Sequence, residues 1–244
     1  MIPLRLKKDK MYDIITYCSE NYKNCFEFSI KSWIESDVRK IYVYTDGWSD
    51  ESLSEKLVFV NISEKTDDWV KNVGKKIMCV NHYWNLLDSV DCFCFLDMDN
   101  YITAPFGEVF DSIQSVGLTR IDLPHKTVSA GNVFIRKNEI SRKFVDAWES
   151  LQTEHQSTKS YHNGYRGVAH DQTSLHDLTW EDLRGSNQYK ITSLASHTYN
   201  SEAGRETDHL MKVRDHKSKI IHFKDHRWKN PGFVNAMMTI ISQF

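Results

Sequence analysis

The feature that most restricts the fold of this chain is a run of five apolar residues, Cys92 to Leu96, that stops abruptly at Asp97, Met98 and Asp99. No longer unbroken apolar run occurs, and five is far short of the roughly 20 residues needed to cross a bilayer. The run therefore reads as a central strand buried on both faces. Its acidic end falls at the carboxyl edge of the sheet, where open parallel sheets receive ligands. Residues two apart on an extended chain point the same way, with Cα atoms roughly 6.5 to 7 Å apart. Asp97 and Asp99 can thus reach one cation, and hard oxygen donors of this kind suit Mg²⁺ or Mn²⁺, which keep positions open for a substrate's phosphates. An ordinary turn after a strand is the competing reading of the same tripeptide.

The sequence around this run alternates between strand and helix signals. Tyr12 to Cys18 is apolar and β-branched, and Tyr22, Phe26, Ile30 and Trp33 follow at helical spacing. Lys40 to Thr45 and Leu57 to Ile62 read as strands, the first closed by the turn residues Asp46 and Gly47. A helix is expected from about Gly74 to Leu87, with Ile77, Val80, Trp84 and Leu87 inward. Downstream, Val116 to Ile121 and Asn132 to Arg136 read as strands, and Ile140, Phe144, Ala147, Trp148 and Leu151 form a helical face. The pattern dissolves from Thr153 to Gly167; beyond it a short helix is expected at Thr173 to Leu183, strands at Lys190 to Ala195 and Lys219 to Phe223, and a closing helix at Phe233 to Phe244. Strand-helix alternation of this kind predicts an α/β fold with a mixed, mainly parallel sheet flanked by helices.

Composition narrows the function classes. The chain has 244 residues, which fits one large domain better than two. Its 31 Lys plus Arg against 33 Asp plus Glu leave a formal charge of -2 and no basic tail, so nucleic acid is not an expected partner. Five cysteines, none spaced as Cys-x-x-Cys, indicate free thiols and neither a disulfide framework nor a zinc ribbon. Arg5, Lys7, Lys8 and Lys10 are not followed by the apolar stretch of a secretory leader. A cytoplasmic protein without a transmembrane segment is the expectation. His222 and His226 have the gap of a ligand pair, but no cysteine accompanies them.

Lys76 to Cys79, Phe93 to Pro105, Ser129 to Gly131, Asp171 with Gln172, and Ile221 to Phe223 with Lys224 and Trp228, taken together in this order, resemble the nucleotide-sugar glycosyltransferases with the A-type (GT-A, Rossmann-like) fold, and within them glycosyltransferase family 8, which includes glycogenin and bacterial lipopolysaccharide galactosyltransferases. Phe93 to Pro105 looks like that family's Asp-x-Asp strand, and Lys76, Ile77, Met78 and Cys79 resemble its Lys-Leu-x-Cys helix. Ser129, Ala130 and Gly131 fall at its Asn-Ser/Ala-Gly, Asp171 and Gln172 at its Gly-Asp-Gln, and Ile221, His222 and Phe223, with Lys224 and Trp228, at its terminal His-Phe/Tyr segment. The chain departs from the pattern at Ser129, where the family has asparagine, at His170, where it has glycine, and after His222, where its glycine and Lys-Pro-Trp are missing.

The resemblance implies one GT-A-like domain over 1–244, with a nucleotide-sugar-binding half at about 12–122 and an acceptor-side half at about 123–244. It implies transfer of a sugar from a nucleoside diphosphate, UDP-sugar before GDP-sugar, to a glycan or other hydroxyl acceptor, with retention. Asp97 and Asp99, joined by His222, would hold Mn²⁺ or Mg²⁺. Thr16, Tyr17, Asp46, Lys76, Met98, Ser129, Lys224 and Trp228 would line the donor site. Asp171 and Gln172 would act on the donor sugar or the acceptor hydroxyl. Several have an ordinary structural alternative: strand-end packing for Thr16 and Tyr17, a turn for Asp46, a solvated helix lysine for Lys76, a helix cap for Asp171 and a satisfied structural histidine for His222. Tyr161, His162, Asn163, Tyr165 and Arg166 suggest an acceptor platform or a solvated loop. A catalytically silent nucleotide- or carbohydrate-binding protein on the same fold is the alternative function. A sugar nucleotidyltransferase is a third, disfavoured because Cys18 to Cys25 lacks a Gly-rich basic loop.

Overall fold

The computed structural model describes residues 11–62, 69–120, 128–158, 171–202 and 218–223, with single positions 229, 232, 235, 238 and 239 beyond them. Its first half is a run of crossovers: β1 (Asp13–Cys18), α1 (Lys23–Ile34), β2 (Lys40–Thr45), β3 (Leu57–Asn61), α2 (Trp69–Trp84) and β4 (Cys92–Leu96). There follow β5 (Asn100–Ile102), α3 (Val109–Ser112), β6 (Val116–Arg120), β7 (Val128–Arg136), α4 (Glu139–Thr158) and α5 (Asp171–Glu181). β8 (Ile191–Leu194), α6 (Ser196–Tyr199), β9 (Ser201–Glu202) and β10 (Ile220–His222) complete the described strands and α-helices, with short turns of other helix types at Glu20–Tyr22, Glu51–Leu53 and Asp182–Ser186.

Seven strands form one sheet in the order β3-β2-β1-β4-β7-β6-β8. Every neighbouring pair is parallel except the two made by β7, which runs against both β4 and β6. The mixed, mainly parallel α/β sheet predicted by the alternation is therefore what forms. Period-two alternation sends successive side chains to opposite faces. Ile14, Ile41, Val43, Cys92, Cys94 and Leu96 join a core with Phe26, Ile30 and Trp33 of α1. Ile15, Tyr42, Tyr44, Phe93 and Phe95 join a second core with Ile77 and Val80 of α2 and Phe144 and Trp148 of α4. Both faces are covered, which is why these strands are nearly all apolar.

The structure moves several expected boundaries. α2 ends at Trp84, so Leu87 is fully exposed rather than inward. Asn85 closes the helix by donating from its side-chain amide to the Asn81 carbonyl at 3.0 Å. β7 begins at Val128, four residues early, so Ser129 to Gly131 lie in a strand. α4 runs on to Thr158, past the point where the sequence turns polar, because its buried face there is polar: Gln152 and His155 are both buried, and Gln152 donates to the Gly74 carbonyl of α2 at 2.7 Å. α5 starts at Asp171 instead of Thr173 and stops at Glu181. A second sheet, β5-β10-β9, was not anticipated as a sheet. The expected closing helix and the Tyr161 to Arg166 segment lie outside the described residues, apart from single positions in the former. Among the described residues no helix is long and apolar enough to cross a membrane.

Candidate metal centre and its surroundings

From β1 the chain steps to β2 and β3 on one side, then returns to β4 on the other. The carboxyl ends of β1 and β4 thus flank the switch point where such sheets open a crevice. Asp97 is the first residue beyond β4, and its N–H donates to the Gly131 carbonyl of β7 at 2.8 Å. The turn that follows is tied to α1. Ser29 donates to the Met98 carbonyl at 2.6 Å, the Trp33 indole donates to the Asn100 carbonyl at 2.9 Å, and the Ile102 N–H donates to Ser32 Oγ at 3.1 Å. Asn100, wholly buried, donates from its side chain to the Asp97 carbonyl at 2.8 Å. The backbone between the two acids is therefore held at both ends. The Met98 side chain is buried in the core on the α1 face.

β5 carries this turn into antiparallel pairing with β10, whose register sets His222 opposite Asn100. The Phe223 N–H donates to the Asp99 carbonyl at 2.8 Å. Ligand atoms of Asp97, Asp99 and His222 consequently lie within 4.8 Å of one another, the cluster anticipated from the sequence. His222 Nε2 is 3.0 Å from Asp99 Oδ1, and its Nδ1 is 3.0 Å from Asn200 Oδ1. Gly131 makes the approach possible: a Cβ there would lie 2.6 Å from His222 Cε1 and 3.0 Å from Asp97 Oδ2.

Lys76 closes the other side of the cluster. Its side chain is 6% exposed, and its ammonium meets Asp97 Oδ1 at 2.9 Å, Asp171 Oδ2 at 2.5 Å and the Ala130 carbonyl at 2.7 Å, with the Phe95 ring 5.0 Å away. All three ammonium hydrogens have an acceptor, so this is neither a solvated helix lysine nor one with a free hydrogen. Burial alone would lower its pKa, but Asp171 and Asp97 more than offset that and raise it, keeping the ammonium charged. Asp171 is 5% exposed, whereas Asp97 and Asp99 keep 34% and 26%. Two of the three acids thus keep exposed surface and one is turned into the protein.

Desolvation pushes the Asp97 carboxyl above the usual range, with Lys76 opposing and the nearby Asp99 adding to it. Desolvation acts the same way on Asp99, yet the His222 charge and hydrogen bond outweigh it and leave that carboxyl below its ordinary value. The two acids differ because one is shared with a buried lysine and the other with an imidazole.

The remaining sequence candidates occupy two places. Gln172 accepts from the Ala130 N–H at 2.9 Å and donates to the Val128 carbonyl, so its amide continues the edge of β7. Ser129, buried, accepts from the Gly131 N–H at 3.2 Å. At the ends of β1 and β2, Thr16 is buried and its hydroxyl has no partner among the described residues. One oxygen of Asp46 accepts from the Glu20 N–H at 2.9 Å, while the other is buried without a partner among them. Tyr17 receives a hydrogen bond from Lys75 at 2.9 Å, and the same ammonium sits 4.9 Å from the ring centroid. Lys75 was not singled out from the sequence, nor were Asn200 and Trp48, whose indole donates to the Cys18 carbonyl at 2.8 Å. Lys224 and Trp228 lie outside the described residues.

Fold and cluster together define an α/β protein with two acids and an imidazole converging at the switch point of its sheet. No protein-family model matches the chain, and no curated protein does. Among solved structures it is similar to the apo structure of the bifunctional glycosyltransferase WbbM, with a TM-score of 0.60 at 13% identity, over 96% of this chain and 50% of that one. At that identity the likeness is one of fold. The chain spans about half the length of that protein.

Proposed function

We propose that this chain is a metal-dependent glycosyltransferase. It takes a sugar from a nucleoside diphosphate, UDP-sugar in the first instance, and passes it to a glycan or other hydroxyl acceptor. The observation that carries this reading is the meeting of Asp97, Asp99 and His222 at the switch point of a fold similar to that of a glycosyltransferase. The donor set fits a divalent cation: two carboxylate oxygens and one imidazole nitrogen suit Mn²⁺ or Mg²⁺ with sites left for phosphate oxygens, and the absent Cβ of Gly131 keeps the space clear. Counting Asp97, Asp99, Asp171 and Lys76 gives -3 + 1 = -2 with neutral His222, the charge that one divalent ion balances. Bound there, the ion would supply a Lewis acid that offsets negative charge growing on the departing diphosphate.

The chain's own groups divide the remaining work. Thr16, Tyr17 and Asp46 receive the nucleoside, the ring by stacking and the free carboxylate oxygen by accepting a hydrogen bond. Lys76 holds Asp97 and Asp171 in place, and the buried Asp171 and Ser129, with Gln172 bonded to β7, brace from behind the surface against which the donor sugar lies. Lys224 and Trp228 add phosphate contacts from the segment after His222. The halves at about 12–122 and 123–244 share this cleft. Retention is the stereochemical outcome, following the family 8 resemblance. All five cysteines are buried and free, which supports a reducing, cytoplasmic setting.

A thermal-shift panel of nucleoside diphosphates and their sugars, with and without Mn²⁺, followed by a donor-hydrolysis assay, tests the proposal. Asp97→Asn and Asp99→Asn are expected to fold as the parent does and to lose metal-dependent turnover by at least about 100-fold. Full activity in both variants removes the metal reading. Binding without turnover of any nucleotide sugar favours a silent binding protein.

A further inference from the structure

An imidazole can offer a lone pair to a cation from only one nitrogen, and its other nitrogen must then carry the proton. Among the described residues the second nitrogen of His222 is met by one side chain, Asn200, at 3.0 Å. Asn200 is 1% exposed, and its place is fixed by backbone. Its N–H donates to the Ser196 carbonyl at 2.8 Å, and the preceding Tyr199 carbonyl accepts from the buried Asn132 of β7 at 2.6 Å. Gly131, the neighbour of Asn132, lies against the imidazole's Cε1. The ring is therefore gripped on one edge by backbone and on one nitrogen by an amide.

We propose that Asn200 is a positioning residue that holds His222 as the Nδ1–H tautomer, so that the Nε2 lone pair points into the cluster formed with Asp97 and Asp99. This rests on the cation site under Proposed function and extends it to a residue outside the donor set. The geometry favours the assignment in two ways. With the amide oxygen toward the ring, as the structure has it, Nδ1–H has an acceptor, and the buried donor left without a partner among the described residues is Asn200 Nδ2. Nε2 then faces Asp99 Oδ1 across 3.0 Å as one acceptor before another, a contact that calls for a cation between them: a proton in the metal-free protein, whose place the metal ion takes. An amide turned the other way would present N–H to Nδ1, reverse the tautomer and spend Nε2–H on Asp99. The orientation of one asparagine thus decides whether His222 is available as a ligand.

The test is Mn²⁺ binding by the protein alone, followed through the paramagnetic resonance signal of free aquo-Mn²⁺, in the parent, His222→Ala, Asn200→Leu and Asn200→Asp. Asn200→Leu is expected to weaken binding about 10-fold or more, the usual scale for losing a group that orients a metal-ligating histidine. Asn200→Asp, which keeps an acceptor for Nδ1–H, should bind at least as well as about one third of the parent affinity. If His222→Ala weakens binding while Asn200→Leu matches the parent, the role of Asn200 is overturned and the cation site stands. A parent that binds no Mn²⁺, or is indifferent to His222→Ala and Asp97→Asn alike, overturns the site and this inference together. Should Asn200→Leu fail to fold, the Mg²⁺-loaded parent decides by long-range ¹H–¹⁵N correlation. A proton on Nδ1 and none on Nε2 supports the assignment, and the reverse overturns it.

Discussion

Gly131 and Lys76 show how little freedom single residues have around the cluster. A methyl group at 131 would collide with His222 Cε1, and neither that ring, bonded to Asn200, nor the β7 backbone has an easy way to yield. Gly131→Ala is expected to lower Mn²⁺ affinity at least about 10-fold, by analogy with other changes that misplace a metal ligand. Calorimetric titration set beside a thermal melt will show whether affinity falls further than stability. Lys76 carries a different burden. Replacing it with methionine would take the Lys76 ammonium away from the buried Asp171 carboxylate, and breaking a buried pair of this kind typically costs about 3 to 5 kcal/mol. Urea denaturation of Lys76→Met and of Lys76→Met/Asp171→Asn measures this, and the double variant should recover most of the loss. Equal stability of the parent and the single variant would show that the lysine does not compensate the acid.

Helix α1 acts on the acidic turn from outside the cluster. Ser32 and Trp33 stand three and four residues after Ser29 on one helical face, and the three side chains bond to backbone atoms of 102, 100 and 98 respectively. Trp33→Phe keeps the ring but deletes the indole donor, leaving the buried Asn100 carbonyl unmet. The expected cost is about 1 kcal/mol or somewhat more, with Mn²⁺ affinity lowered as the turn loosens; affinity unchanged at reduced stability would confine α1 to the core. Elements differ in how clearly the sequence announces them. β1, β2 and β4 were legible because they are largely apolar and each is followed by a polar residue, Ser19, Asp46 and Asp97, and the meeting of Asp97, Asp99 and His222 was legible too. The second sheet was not, since strands of two or three residues, such as β9 and β10, carry no periodicity. The last turns of α4 were hidden because Gln152 and His155 occupy positions where apolar residues would have signalled a buried face. Asn200 had no signal at all: one asparagine in a polar stretch becomes meaningful only when β10 brings His222 beside it.

At the scale of the molecule, any ligand that binds only the folded state raises its stability with concentration. A nucleotide sugar with Mn²⁺ at about 100 times its dissociation constant should add about 2.7 kcal/mol. For a domain of this size that is a rise of about 5 to 11 °C in Tm. The rise should require both components, and it should vanish in Asp97→Asn. Such linkage acts across the whole sheet because the residues proposed to hold the ligand come from distant parts of the chain: Thr16, Tyr17 and Asp46 from β1 and the end of β2, Asp97 and Asp99 from beyond β4, and His222 from β10.

The β5–β10 pairing has a consequence for synthesis. The acids leave the ribosome with the middle of the chain, but their imidazole arrives only after residue 222 has emerged and zipped against Asn100. A nascent or proteolytically shortened chain ending before that strand would present carboxylates without nitrogen. Loading of manganese would then report that the late part of the polypeptide has docked, making ion uptake a sign of completed folding as well as a preparation for chemistry.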